Sequence, residues 1–190
     1  MPNILIVAAT DRELCGHDGL VCGVGPVEAA AATARALALR RVDAVIHVGL
    51  AGARGIPPGS LVVGAEAVYC DIAAEWPIVE RVGADPRLRA AALAALRDAT
   101  ELPIHTSAAV GASRDSVSHG HLVEAMEGFG VLRAASLAGV PAVELRVISN
   151  EIGQEDRSRW DLAAAFTALE RAIPLALDAV TDAAATARGS

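Results

Sequence analysis

Glu13, Glu127 and Asn150 each stand where an apolar run of this chain gives way to polar residues. Glu13 follows the run at 3–9 by a few positions, and a carboxylate there can act as a general acid or base. A carboxylate in the first turn of a helix is also favoured by the macrodipole alone, with no chemistry attached. The stretch 123–128, VEAMEG, places two carboxylates and Met126 where a loop passes into a helix. Such a carboxylate can accept two hydroxyls of a sugar while the thioether packs on the sugar's apolar face. Helix-terminal acids beside a core methionine are the ordinary alternative. Ser149 and Asn150 close a mainly apolar run, and the amide offers one donor and one acceptor to a planar ligand edge. Asn is equally a common strand terminator.

Glycine supplies the close approaches. Gly49, Ala51 and Gly52 lie in the tract GLAGA, which lets backbone come near a ligand, although a Gly turn after a strand is common. The tract at 23–26, GVGP, resembles an anion loop but lacks the third Gly of the dinucleotide fingerprint. His119 and His121 alternate as two metal ligands on a strand would, yet no Cys or carboxylate set completes them, so no metal site is expected. Ser116 and His119 have no orienting third group and make no triad. Ser113, Arg114, Asp115 and Ser116 form a polar loop that can touch an anion.

Composition narrows the field. The 190 residues are 53% hydrophobic and only 3% aromatic, 42 are Ala, and all 16 basic residues are Arg. Without Lys there is no Schiff base, no Walker-type phosphate lysine and no Ser–Lys dyad. A net charge of -7 leaves no basic footprint for nucleic acid or an acidic membrane surface. Cys15, Cys22 and Cys70 are odd in number and lack paired spacing, which points to a reducing, cytoplasmic setting. The first residues read as a strand rather than a signal peptide. No apolar stretch reaches the roughly 18 residues of a membrane span.

Short β-branched runs alternate with Ala-rich helical stretches, so crossover helices on an α/β sheet are expected, in one domain over 1–190. Strands are expected at 3–9, 20–24, 42–48, 61–69, 104–110 and 142–149. Helices are expected at 27–40, 86–99 with Asp85 as cap, 127–138, and 158–185 with a break at Pro174. The segment 71–85 reads as loop. Ligands of open α/β sheets sit beyond the carboxyl ends of strands. Residues 11–13, 49–53, 124–128 and 146–151 all fall at such places.

Taken in order, ILIVAATDRE (4–13), GVGPVEAA (23–30), VIHVGLAGA (45–53), PGSLVV (58–63), MEG (126–128) and RVISN (146–150) resemble the nucleoside phosphorylase/nucleosidase superfamily. Within it the resemblance is strongest to the futalosine hydrolases, then to the methylthioadenosine/S-adenosylhomocysteine nucleosidases. The resemblance implies a three-layer α/β/α sandwich around a mixed, partly closed sheet, and cleavage of N-ribosidic bonds without a cofactor. It implies that Glu13 activates water, Glu127 holds the ribose hydroxyls and Met126 packs under the sugar. Asn150 would grip purine N7 and the six-position, with Ser149 and Arg146 as polar neighbours, and Gly49, Ala51 and Gly52 would line the water or phosphate pocket.

Adenine-cleaving nucleosidases carry Asp where this chain has Asn150, so a 6-oxopurine nucleoside is the expected substrate. Futalosine comes first and inosine second, and futalosine would imply a place in menaquinone biosynthesis. Val48 and Leu50 stand where phosphate-using relatives offer hydroxyls or charge, which favours hydrolysis over phosphorolysis. The alternatives are a methylthioadenosine/S-adenosylhomocysteine nucleosidase, a purine nucleoside phosphorylase and a nucleoside-binding protein without turnover. The family and the apolar composition together imply a homodimer or higher homo-oligomer. His119, His121 and the loop around Trp76 are candidates for its interface or for the pocket rim.

Overall fold

The computed structural model of the protein describes residues 1–72, 74–109 and 122–186. Within them a mixed eight-stranded sheet is flanked by four α-helices. The strands are β1 (Ile4–Ala8), β2 (Leu20–Val21), β3 (Ala44–Ala53), β4 (Leu61–Tyr69), β5 (Arg81–Gly83), β6 (Thr100–Thr106), β7 (Val123–Ala125) and β8 (Ala142–Glu151). The helices are α1 (Pro26–Leu39), α2 (Pro86–Ala95), α3 (Gly128–Leu137) and α4 (Leu162–Thr186).

Alternation along the strands sorts the core into two slabs. Leu5, Val7, Val45 and Ala142 face one way and pack against Ala29 and Ala36 of α1 and Val131, Leu132 and Ala135 of α3. Ile6, Ile46, Val48, Val143, Leu145 and Val147 face the other way, onto Leu88 and Ala92 of α2 and Leu169, Ile173 and Val180 of α4. The result is the expected α/β/α sandwich.

The sheet is also partly closed. β8 lies parallel to β3 on one side and antiparallel to β4 on the other. β4 runs beside β6, β6 beside β7, and β7 returns to the far end of β3 through Gly52 and Ala53. Five strands therefore make a ring, with Ala51, Val62, Ile104, Val123 and Ile148 in its core.

Caps fix the helix ends where the sequence signals them. Asp85 accepts from the Arg87 and Leu88 amides at 3.0 and 3.1 Å, with Pro86 in the first turn of α2. Gly139, at φ 67°, ends α3 in a Schellman turn: its amide bonds to Ser136 at 3.2 Å and that of Val140 to Ala135 at 3.0 Å.

Several expectations need correction. The tract 49–53 continues β3 rather than turning, and the second helix stops at Ala95 rather than 99. β6 starts at Thr100 rather than 104, with Pro103 beside the irregularity between Gly64 and Ala67 of β4, where a missing N–H is tolerated. The segment 71–85 is not all loop, because 81–83 form β5; with only Val82 facing inward, three residues carry no readable period. The last helix begins at Leu162, after a separate 3-10 turn at Arg157–Arg159. It then runs through Pro174 without a break, since Ile173, Ala176 and Val180 bury one continuous stripe. No helix among the described residues is long and apolar enough to cross a membrane.

Candidate active site

A cleft of about 410 Å³ opens at the carboxyl ends of β1, β3 and β8. Its lining includes Glu13, Ala51, Gly52, Met126, Glu127, Ser149 and Asn150, which the sequence reading singled out separately. Each arrives by its own local device.

Glu13 sits in the 3-10 turn Asp11–Leu14 that follows β1 and is 8% exposed. Thr10 caps that turn. Its amide and hydroxyl donate to Glu13 Oε2 at 3.0 and 2.7 Å, while the Leu50 amide donates to Oε1 at 3.0 Å. Three donors from two elements fix one carboxylate at the cleft wall.

Glu127 occupies the turn between β7 and α3 and is 4% exposed. Gly25, the cap residue of α1, donates its amide to Glu127 Oε1 at 3.1 Å. The glycine loop at 23–25 thus does bind an anion, and the anion is the chain's own carboxylate. Met126 lines the cleft beside it, half-buried.

Asn150 and Ser149 both reach the cleft because β8 is bulged. Ala51 pairs with Ile148 and Gly52 with Asn150, leaving Ser149 as the extra residue. In a regular strand two successive side chains would point to opposite faces. Asn150 Nδ2 donates to the Glu151 carbonyl at 3.0 Å, and Ser149 Oγ donates to Asn150 Oδ1 at 2.7 Å. Reversing the amide would set oxygen against oxygen, so its orientation is fixed by its neighbours. One N–H and one oxygen lone pair remain for a ligand. A Cβ on Gly52 would come within 3.0 Å of Asn150 Nδ2, which explains the glycine.

Two expected ligand contacts, Gly49 and Arg146, do not line the cleft. Arg146 is fully buried beneath its floor. Gly49 pairs with it across β3 and β8, and a Cβ there would collide with Arg146 Nη1 and lie 2.8 Å from Glu13 Oε1. The guanidinium donates from Nε to Glu144 Oε1 at 2.8 Å, from Nη1 to the Leu50 carbonyl at 3.3 Å and from Nη2 to Glu127 Oε2 at 3.3 Å. Nη2 also meets His47 Nε2. His47 Nδ1 bonds to the Val7 carbonyl at 3.0 Å, so Nδ1 carries the proton and Nε2 accepts. Burial, then the nearby Arg146, hold His47 well below the usual imidazole range. Burial pushes the Glu144 carboxyl up, against the pull of Arg146.

The aromatic wall has no motif in the sequence to announce it. Trp160 and Phe166, two of the five aromatic residues, line the cleft. Arg12 stacks on Phe166 at 3.9 Å and Arg157 on Trp160 at 5.6 Å, and both arginines also line it. Rarity of aromatics in an alanine-rich chain was the available signal. Among the described residues no cluster of His, Cys, Asp and Glu is arranged to hold a metal ion. His119, His121 and the polar loop at 113–116 lie outside the described residues; Trp76 stands 70% exposed.

Comparisons with known proteins agree with this geometry. The model of the phosphorylase superfamily matches residues 19–184. Futalosine hydrolase of Streptomyces coelicolor is 38% identical over 181 residues, covering 83% of this chain and 77% of the relative. That of Thermus thermophilus is 32% identical over 179 residues, covering 81% and 78%. Among solved structures, a methylthioadenosine/S-adenosylhomocysteine nucleosidase from Colwellia psychrerythraea in complex with adenine superimposes with a TM-score of 0.83 at 20% identity, covering 94% of this chain and 96% of the other. Native futalosine hydrolase of Helicobacter pylori gives 0.82 at 19%, covering 93% and 97%. The cleft beyond β1, β3 and β8 is therefore set in the fold of a nucleosidase, and the chain belongs to the phosphorylase superfamily.

Proposed function

We propose that this enzyme is a nucleosidase that hydrolyses the N-ribosidic bond of a 6-oxopurine nucleoside, futalosine first. The observation that carries the reading is one cleft walled by two fixed carboxylates, Glu13 and Glu127, and one fixed amide, Asn150. Kinship at 38% identity with futalosine hydrolases supports it.

Glu127 takes the ribose hydroxyls on the lone pairs that Gly25 and Arg146 leave open, with Met126 under the ring. Asn150 donates its remaining N–H to the six-position oxygen and accepts from a protonated N7. Glu13 takes a proton from the attacking water, whose oxygen bonds to C1′. The electrons of the C1′–N bond pass to the purine, which leaves with a solvent proton at N7. General base help of this kind is worth about 10²–10⁴-fold.

Water rather than phosphate is the attacking group. The buried cation of the floor, Arg146, is committed to Glu144, Glu127 and the Leu50 carbonyl, the lining arginines Arg12 and Arg157 lie over Phe166 and Trp160, and Leu50 offers the cleft an apolar side chain. The test is product analysis with and without inorganic phosphate. Free ribosyl product and hypoxanthine, at a rate independent of phosphate, are expected. A strict phosphate requirement with a ribose 1-phosphate product would mark a phosphorylase, and tight nucleoside binding with no product would mark a binding protein. A homodimer completing the rim near Trp76 belongs to the same reading.

A further inference from the structure

Glu144 is a fully buried carboxylate beside the site that the reaction above does not use. It lies on β8 two residues before Arg146, so both side chains leave the same face of the strand. That face otherwise packs on the apolar slab under α1 and α3. Both residues are fully buried, and His47 pairs with Glu144 across β3. A buried charge is costly even after the surroundings relax, so an ionic cluster placed in this slab calls for a reason.

The space for it is made by glycine. Gly128 opens α3 directly over Glu144, and a Cβ there would fall onto both carboxylate oxygens. Glu144 Oε1 takes the Nε edge of Arg146, while Oε2 has no hydrogen-bond partner. With Nε engaged, any turn of the guanidinium plane would break that bond. Its Nη2 is then directed at Glu127 and its Nη1 at the carbonyl of Leu50, whose own amide holds Glu13.

We propose that Glu144 is a positioning residue for the nucleosidase reaction: by gripping Nε of Arg146 it sets the guanidinium that aligns Glu127 for the ribose and the Leu50 backbone for Glu13. The inference rests on the functional reading above. It assigns no contact with substrate to Glu144. It also separates the two ends of the cleft, because the Asn150 amide is held by Ser149 and the Glu151 carbonyl, neither of which bonds to Glu144 or Arg146.

That separation supplies the test. Glu144→Gln keeps the shape but exchanges the charge-assisted bond to Nε for a weaker neutral one, and Glu144→Ala removes the acceptor altogether. Full-length wild type and both variants are compared in kcat, in KM, in thermal midpoint, and in calorimetric affinity for inosine and for free hypoxanthine. For Glu144→Gln we expect kcat/KM to fall about 10²-fold, the loss typical of a reacting group displaced by ~1 Å. Inosine affinity should fall with it, while hypoxanthine affinity stays within about twofold. Glu144→Ala should lose at least as much activity.

Unchanged kcat/KM in Glu144→Gln would overturn the proposal. So would a loss in which hypoxanthine affinity and thermal midpoint fall in step with activity, since that marks a general structural defect. Should the wild type release no hypoxanthine from either futalosine or inosine, the functional reading fails on its own. The ratio of inosine to hypoxanthine affinity then still decides on Glu144: a fall in Glu144→Gln supports the positioning role, and no change refutes it.

Discussion

Glu13 is distinguished from the other acids of this chain by how it is held. Three donors, two from Thr10 and one from Leu50, fix its carboxylate at the cleft wall. Glu13→Gln keeps the size and removes the proposed base, so turnover should fall by about 10²–10⁴-fold with nucleoside affinity retained. Single-turnover assays beside calorimetry would check this, and activity within tenfold of wild type would contradict it. In the proposed reaction Asn150 carries the choice of base. Asn150→Asp replaces the free N–H by an oxygen that a 6-oxo group repels, so the ratio of kcat/KM for inosine over methylthioadenosine should collapse from a starting discrimination of up to about 10⁴–10⁵. A ratio unmoved by the substitution would remove the amide from the specificity argument. The types of these residues and their places after apolar runs were readable in the sequence. The depth of Arg146 was not, because a cation at a strand end reads as a ligand contact. The signal against that reading was present: His47, Glu144 and Arg146 are charged or polar residues inside runs too apolar to be exposed.

At the scale of elements, long strands and capped helices announced themselves and short ones did not. β1, β3, β4 and β8 and the caps at Asp85 and Gly139 follow from apolar runs and punctuation. β5 and β7 have three residues each, too few for a period, yet β7 closes the ring and brings Glu124 to Glu127 to the cleft. The bulge at Ser149 was equally silent, since it depends on the register with β3. The buried face shared by β3 and β8 makes a pH prediction. His47 is neutral in the folded chain, its pKa held down first by burial and then by Arg146. The unfolded chain takes a proton there below about pH 6.5, so stability present above that pH is lost as the pH falls toward the folded value. Unfolding free energies of wild type from urea titrations should drop faster between pH 7 and 5.5 than those of His47→Gln, by up to ~1.4 kcal/mol per pH unit. Parallel curves would contradict the burial of a neutral imidazole.

For the whole molecule, the sandwich is set by two apolar slabs, and its closed ring converges the strand ends on one cleft. We take the chain as one cooperative unit, which a single unfolding transition by two spectroscopic probes would bear out. Exposed Trp76, Val24, Val27 and Leu137 leave apolar surface on the outside. Light scattering at micromolar concentration should give the mass of a dimer or a larger homo-oligomer, and a monomer mass would remove that part of the reading. The central claim is that this cleft hydrolyses a 6-oxopurine nucleoside, and one chromatographic assay addresses it directly. Purified enzyme is offered futalosine, inosine and methylthioadenosine in phosphate-free buffer. Hypoxanthine should be released fastest from futalosine and more slowly from inosine, with little or no adenine from methylthioadenosine. Adenine release from methylthioadenosine as the fastest of the three would contradict the account.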